Sequence, residues 1–352
     1  MKKLKKSISI FTIIIMVATV LAGCGSKVEE QPDDNVLSDN IILTETGETL
    51  VLPQPDAEKT EQNQPDAGVD GTAEIDNAVP EIVSPNVDVD IPVQEQVITE
   101  EDQIEPHGSE LQIVFLGDSI FDNSRDGTGV PYLTADECDA DVYNLAIGGT
   151  SATIEIGEST SSETWVSRSL VGMVKAMRGD IPTDVFAGTR AKEILDNPDV
   201  DFSKTDYFVV EYGINDFFRA VPMDNHDNYY DYTTYAGALR YAVSTLEEIA
   251  DDATIILCCP HYCQFFNNHQ FIGDGNVLNT GYGTLFDYKG ICQYVAKEQQ
   301  VEFYDAYMDL GINGYTAEEY LEDGVHLTEA GRQLYADALA TKILNYEETK
   351  NN

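Results

Sequence analysis

Acyl transfer needs a nucleophile, a base and a group that orients the base, and this chain holds candidates for all three. Ser119 lies in Gly117-Asp118-Ser119, directly after an apolar run, and Asp323 and His326 lie in Asp323-Gly324-Val325-His326 near the other end. A serine hydroxyl is a poor nucleophile until a base takes its proton in the transition state. His326 suits that task because imidazole titrates near neutrality. Asp323, three residues earlier, can reach the far ring nitrogen, fix the tautomer and stabilise the imidazolium. Taken singly, each has an ordinary reading: Ser119 as a turn residue, Asn215 as a turn former, Asp323 and His326 as a helix-entry pair. Their meaning depends on the elements that carry them.

Five short apolar runs alternate with helical stretches, the pattern of a parallel sheet covered on both faces. The runs are 111–116, 140–145, 207–212, 254–259 and 301–304. Helical periodicity fits 164–177, 235–249, 284–298 and 328–346. In the last of these, Tyr335, Ala336, Leu339, Ala340 and Ile343 form one apolar stripe, with Thr328 as N-cap. In open α/β sheets ligands bind beyond the carboxyl ends of the strands. Gly117-Asp118-Ser119, the stretch 144–150 and Gly213-Ile214-Asn215-Asp216 all follow runs directly, so position alone makes them site candidates.

Four segments together resemble the blocks of SGNH (GDSL-like) hydrolases. Val114-Phe115-Leu116-Gly117-Asp118-Ser119-Ile120 is similar to the first block, with Ile120 where the family usually has Leu. Asn144-Leu145-Ala146-Ile147-Gly148-Gly149-Thr150 resembles the second, Gly213-Ile214-Asn215-Asp216 the third, and Asp323-Gly324-Val325-His326 the fifth. They occur in family order and span nearly the whole of the expected domain. The resemblance implies a flavodoxin-like three-layer α/β/α sandwich with a five-stranded parallel sheet. It implies a serine esterase acting through an acyl-Ser119 intermediate, with Asp323 and His326 completing the triad and no metal or organic cofactor. The oxyanion donors it implies are the Ser119 and Gly149 backbone N–H groups and the Asn215 side-chain amide. Gly148, adjacent, competes with Gly149 for that role. Asp118 and Asp216 read as structural carboxylates that hold their loops.

The N-terminus reads as an export signal. Lys2, Lys3, Lys5 and Lys6 precede an apolar stretch that ends in Leu21-Ala22-Gly23-Cys24, which resembles the lipobox of bacterial lipoproteins. By that resemblance residues 1–23 are removed and Cys24 carries lipid, anchoring an extracytoplasmic protein to the cell membrane; ordinary secretion is the alternative. From 24 to 109 there is no Phe, Tyr or Trp, prolines recur, and Asp and Glu are frequent. Such a segment cannot offset the entropy cost of ordering and reads as a disordered acidic tether. The hydrolase domain is expected over 110–352.

The formal net charge of −43 argues against binding nucleic acid or anionic lipid by charge. Cys138, Cys258, Cys259, Cys263 and Cys292 make no disulfide framework, although one bridge stays open. The cluster Cys258-Cys259-Pro260-His261-Tyr262-Cys263 invites zinc, but it lacks a second ligand pair of recognisable spacing, so buried structural thiols are the better reading. Asp122-Asn123-Ser124-Arg125-Asp126-Gly127 echoes a calcium loop, yet Leu133 stands where the bidentate Glu belongs, and a turn is expected. His261 is expected to be packed or exposed rather than in the cleft. Tyr229, Tyr230, Tyr232 and Tyr235 read as core aromatics, and the excursion 150–206, with Trp165, as the segment that shapes the pocket. For the substrate, a small acyl ester, an O-acetyl group on a glycan first of all, is set against a lipase or lysophospholipase, an acyltransferase, and a non-catalytic glycan-binding module.

Overall fold

The computed structural model describes residues 108–154 and 167–350. The signal at 1–23, Cys24, the tether up to residue 107, Trp165 and the start of the helix expected at 164–177 lie outside the described residues.

Five strands form one parallel sheet: β1 (Leu111–Gly117), β2 (Ala140–Asn144), β3 (Tyr207–Glu211), β4 (Thr254–Cys258) and, after the hairpin strands β5 (Gln264–Asn267) and β6 (Gln270–Asp274), β7 (Glu302–Tyr304). The order across the sheet is β2-β1-β3-β4-β7, the flavodoxin-like arrangement. The expected runs thus become the sheet strands, each within a residue or so of its expected bounds. The chain moves left from β1 to β2, then right through β3, β4 and β7. Right-handed crossovers therefore send α2 (Val130–Cys138) to one face and α3 (Leu170–Arg178), α6 (Tyr235–Ile249) and α7 (Leu285–Gln299) to the other. The packing agrees: α2 lies against α10 (Glu329–Lys350), and α6 lies between α3 and α7. The result is a three-layer α/β/α sandwich.

Burial follows the sequence pattern. All five residues of β3 are buried, as a central parallel strand covered on both faces requires. Along α10, Tyr335, Ala336, Leu339, Ala340 and Ile343 are buried, and the Thr328 hydroxyl accepts the Gly331 N–H as an N-cap. Helix α7 starts from a capping box in which Thr284 and Asp287 satisfy each other's backbone N–H. Helix α3 begins at Leu170, later than its expected start at 164, because Ser169 is extended and caps Gly172 N–H. Short helices complete the fold: α1 (Ser119–Asp122), α4 (Arg190–Leu195), α5 (Ile214–Phe218), α8 (Ala306–Asp309) and α9 (Ala317–Tyr320).

Two expectations need adjustment. Tyr235 is fully buried and Tyr232 packs against the core, but Tyr229 and Tyr230 are exposed. Tyr229 covers the Arg240 guanidinium at 4.3 Å, a cation–π contact on the surface. The β5–β6 hairpin was not evident in the sequence, because its turn uses Asn268 and His269 at positive φ without a glycine. Cys138, Cys258, Cys259, Cys263 and Cys292 are all free and buried. Residues 125–128 form a turn in which the Asp126 carboxylate accepts from the Thr128 N–H and hydroxyl. Among the described residues no helix is long and apolar enough to cross a membrane.

Candidate active site

Strands β1 and β3 are neighbours although about ninety residues separate them in the chain, and the turn of topology falls between β1 and its two partners. Ser119 follows β1, the 144–150 loop follows β2, and Asn215 follows β3. Three of the expected segments therefore meet at the same edge for topological reasons. The fourth arrives by contacts. The loop Asp323-Gly324-Val325-His326 is tied to β5 by the Gln264 N–H, which donates to Gly324 carbonyl at 2.8 Å. It is tied again by His261, whose Nε2–H donates to Val325 carbonyl at 2.8 Å.

These ties bring Ser119, His326 and Asp323 into line. Ser119 Oγ stands 2.9 Å from His326 Nε2, and His326 Nδ1 stands 2.7 Å from Asp323 Oδ2. With the ring proton on Nδ1, facing the carboxylate, Nε2 is left as acceptor of the serine proton. The second Asp323 oxygen accepts the Val325 and His326 backbone N–H groups at 2.9 and 2.8 Å, so the carboxylate is held on both sides. Burial works to lower the His326 pKa, but the hydrogen bond and charge of Asp323, with Asp118 and Glu322 behind, outweigh it and raise it above the ordinary histidine value. Burial works to raise the Asp323 pKa, and the bonds from the His326 ring and backbone reverse it, leaving the carboxyl below its ordinary range.

The donors implied by the sequence lie around the serine. A Cβ placed on Gly148 would sit 3.7 Å from Ser119 Cβ, so this loop runs against the nucleophile. Gly148 N–H, however, donates to Asp122 Oδ2 at 2.7 Å. Gly149 N–H has no acceptor among the described residues. Gly149 sits at φ +74°, a conformation that favours glycine. Its carbonyl accepts from Arg219, whose other arm donates to Ser151 Oγ. Asn215 Nδ2 is 2.9 Å from Asp118 Oδ2 and 3.0 Å from Thr150 carbonyl. The amide is therefore held toward the loop by two acceptors.

A layer of buried polar residues supports this surface, and most of it was not foreseen. Arg125 donates to Asp122 at 2.6 Å and to the Asn144 and Ala146 carbonyls at 3.2 and 2.7 Å. It thus fixes the very loop that presents Gly148 and Gly149; the visible signal was an acidic and a basic residue three apart in the supposed calcium loop. His261 is fully buried, and burial pushes its pKa down to about 4, so it is neutral and acts through its donor nitrogen. Asp118 accepts the Ile120 N–H, and Asp216 accepts from Ala152 and Thr153, so both serve as loop-holding carboxylates, as expected. Burial raises the pKa of each. Among the described residues no group of three or more His, Cys, Asp or Glu is placed to hold a metal ion.

Comparison with known proteins agrees with this architecture. One solved structure, 20% identical, covers 66% of this chain and 96% of its own with a TM-score of 0.51. A protein from Lactobacillus plantarum, 20% identical, covers 68% of this chain and 99% of its own at TM-score 0.47. A catalytic mutant of an acetylxylan esterase from Geobacillus stearothermophilus, 19% identical, covers 68% and 96% at TM-score 0.42. At 20% identity the first of these likenesses concerns the fold alone. Among curated proteins none matches the chain. The sequence profile of the GDSL-like Lipase/Acylhydrolase family, by contrast, matches residues 113–339, from the middle of β1 to the middle of α10. That span is more than half of the chain and includes all four segments singled out above, so the chain belongs to the GDSL-like lipases and acylhydrolases and is a carboxylic ester hydrolase.

Proposed function

We propose that Ser119 is the nucleophile, His326 its general base and Asp323 the residue that orients the base. The Ser119 and Gly149 N–H groups and the Asn215 amide receive the oxyanion. The observation that carries this reading is the continuous line from Ser119 Oγ to His326 Nε2 at 2.9 Å and from His326 Nδ1 to Asp323 Oδ2 at 2.7 Å. In the first half-reaction Ser119 Oγ bonds to the ester carbonyl carbon while His326 takes the serine proton. Collapse of the tetrahedral intermediate expels the alcohol, which His326 protonates. Water, deprotonated by the same imidazole, then releases the acid and restores the serine.

The acyl group is small in this reading, with acetyl first. Buried carboxylates adjoin the Ser119 turn: Asp118 precedes the serine, Glu211 pairs in register with Gly117, and each, like Asp216, is at most 1% exposed. An alkyl chain driven into that layer would strip polar groups of their partners, a cost that grows with every group displaced. The alcohol side is a glycan in this reading, on the strength of the export signal: lipid on Cys24 would hold the enzyme at the membrane, where surface polysaccharide is at hand.

The test is hydrolysis of p-nitrophenyl acetate, butyrate and octanoate by the wild type and by Ser119→Ala. Activity falling with chain length and abolished in Ser119→Ala is expected. Equal rates in the two proteins would sink the nucleophile assignment, and a rate rising with chain length would replace the acetyl reading with a lipase. Release of acetate from acetylated polysaccharide then tests the glycan. For the anchor, Cys24→Ala is expected to move the protein from the membrane fraction to the medium, and unchanged fractionation refutes lipid attachment there.

A further inference from the structure

Glu211 is the last residue of β3 and takes no part in the chemistry above. It is paired in register with Gly117, which places it one strand across from the start of Asp118. The residue is 0% exposed, and neither carboxyl oxygen receives a hydrogen bond from a donor among the described residues. A buried carboxylate lacking both a donor and a cation is among the most costly arrangements a fold can hold. The groups that face it deepen the problem. Asp118 and Asp216 bring like charge from the β1–α1 junction and from α5. Cys258 on β4, Cys263 before β5 and Cys292 on α7 bring thiols, and Tyr212, Tyr235 and Tyr335 bring phenols. Among the described residues no cation is one of the groups acting on it.

A proton on Glu211 resolves this. A carboxylic acid has an O–H to donate, and Asp118, which directly follows the register partner of Glu211, is the neighbouring carboxyl that can accept it. Asp118 is the member of the pair equipped to stay ionised. One of its oxygens accepts the Ile120 N–H at 3.0 Å, the other accepts the Asn215 amide at 2.9 Å, and the His326 ring attracts its charge. We propose that Glu211 is a neutral carboxylic acid whose O–H donates to Asp118, and that through Asp118 it positions the Asn215 amide for the oxyanion. Glu211 is thus a positioning residue, and this role rests on the reading of Asn215 as an oxyanion donor. The arrangement gives the buried polar layer a direction. Glu211 donates to Asp118, Asp118 accepts from Asn215, and the second amide hydrogen of Asn215 is held by Thr150 carbonyl. Without the donor, Asp118 loses the partner that fixes its second plane of lone pairs, and the amide drifts from the serine.

The proton can be observed directly. Glu211 is the one fully buried glutamate among the described residues, so labelling the full chain with ¹³C-glutamate singles it out from the aspartates. In infrared spectra of the wild-type protein at neutral pH, a protonated-carboxyl stretch that shifts on labelling is expected. Absence of a label-sensitive band overturns the proposal with no variant needed. Two substitutions test the positioning role. Glu211→Gln keeps a donor and removes no charge, so kcat on p-nitrophenyl acetate should stay within about threefold of wild type, with the acid limb of its pH profile unmoved. Glu211→Leu removes the donor, and kcat should fall by about tenfold to a hundredfold with KM nearly unchanged. A Glu211→Gln enzyme whose acid limb moves to lower pH would show that Glu211 was charged and would overturn the proposal. A Glu211→Leu enzyme of normal kcat would remove the positioning role. Because the infrared band reports on Glu211 whatever Ser119 does, an active Ser119→Ala enzyme would refute the active-site reading and leave the protonation result standing.

Discussion

Asp323→Asn separates the electronic role of Asp323 from its structural one. The native carboxylate divides its work: one oxygen accepts the Val325 and His326 backbone N–H groups at 2.9 and 2.8 Å, the other faces His326 Nδ1 at 2.7 Å. Asparagine has the same shape and keeps the first oxygen, so the loop bonds persist and unfolding free energy should change by about 1 kcal/mol or less. The second position becomes an amide donor. His326 Nδ1 must then accept, the ring proton moves to Nε2, and the lone pair that should face Ser119 Oγ at 2.9 Å is lost. In a Ser-His-Asp protease the same exchange lowers kcat by about ten-thousandfold, which corresponds to about 5.4 kcal/mol of transition-state stabilisation. A loss of that order is expected here. The pH profile provides an independent reading. The base must be neutral, so activity rises with pH as the imidazolium loses its proton, and Asp323 raises the His326 pKa, placing the wild-type limb above the ordinary histidine value. The amide cannot stabilise the imidazolium, so the residual activity of the variant should titrate at lower pH. Initial rates on p-nitrophenyl acetate across the acidic to mildly alkaline range, beside urea unfolding curves, measure both effects. A folded variant within tenfold of wild type, with its acid limb in place, would refute the dependence of His326 on Asp323.

Two further substitutions probe the oxyanion surface. Asn215→Ala should lower kcat by about a hundredfold to a thousandfold with little change in KM, because the amide acts on charge that develops only in the transition state; a rise in KM at constant kcat in steady-state kinetics would assign Asn215 to ground-state binding instead. Arg125→Met takes away the charge partner of the buried Asp122 and the donor to two loop carbonyls. Urea unfolding should show a loss of about 3–5 kcal/mol, and a loss under about 1 kcal/mol would mean that the pair is effectively solvated.

What was legible in the sequence was whatever is encoded by short-range pattern. Runs such as Tyr207 to Val210 are apolar because a central parallel strand is covered on both faces, and the strand signal survives without any knowledge of neighbours. Gly213 was legible for a similar local reason. It sits at φ +134°, a backbone conformation that favours glycine whatever its neighbours. The residues missed are those whose meaning lies in a distant partner. Arg125 read only as part of a turn, and the return of β2 beside β1 reveals carbonyls of Asn144 and Ala146 as its acceptors. His261 looked incidental until the carboxyl-terminal loop folded over it to offer the Val325 carbonyl. Glu211 had a visible anomaly, a single charge closing an otherwise apolar strand, but the sequence does not say that its neighbours across the sheet are acids and thiols.

The contrast between these two kinds of residue follows from how the fold builds the site. The sheet brings Ser119 and Asn215 together at no conformational expense beyond forming β1 and β3, since the register from Ile113 opposite Tyr207 to Gly117 opposite Glu211 determines where the two loops begin. His326 has no such guarantee. It comes from a segment outside the sheet, just before α10, and its distance to Ser119 depends on Gln264 N–H holding Gly324 and on His261 holding Val325. Gly324 itself, at φ +90°, admits this approach, for a Cβ there would lie 2.3 Å from Gln264 carbonyl. The proposed base is therefore positioned by the β4-to-hairpin segment, and the proposed nucleophile and oxyanion donors by the sheet. Perturbing the hairpin should separate His326 from Ser119 while leaving the oxyanion surface whole, whereas perturbing Arg125 or Glu211 should do the reverse. Activity lost through the first route is expected to come with an acid limb at lower pH, because His326 would move away from the Asp118 charge that helps to raise its pKa. Activity lost through the second should leave the profile in place and lower only its height.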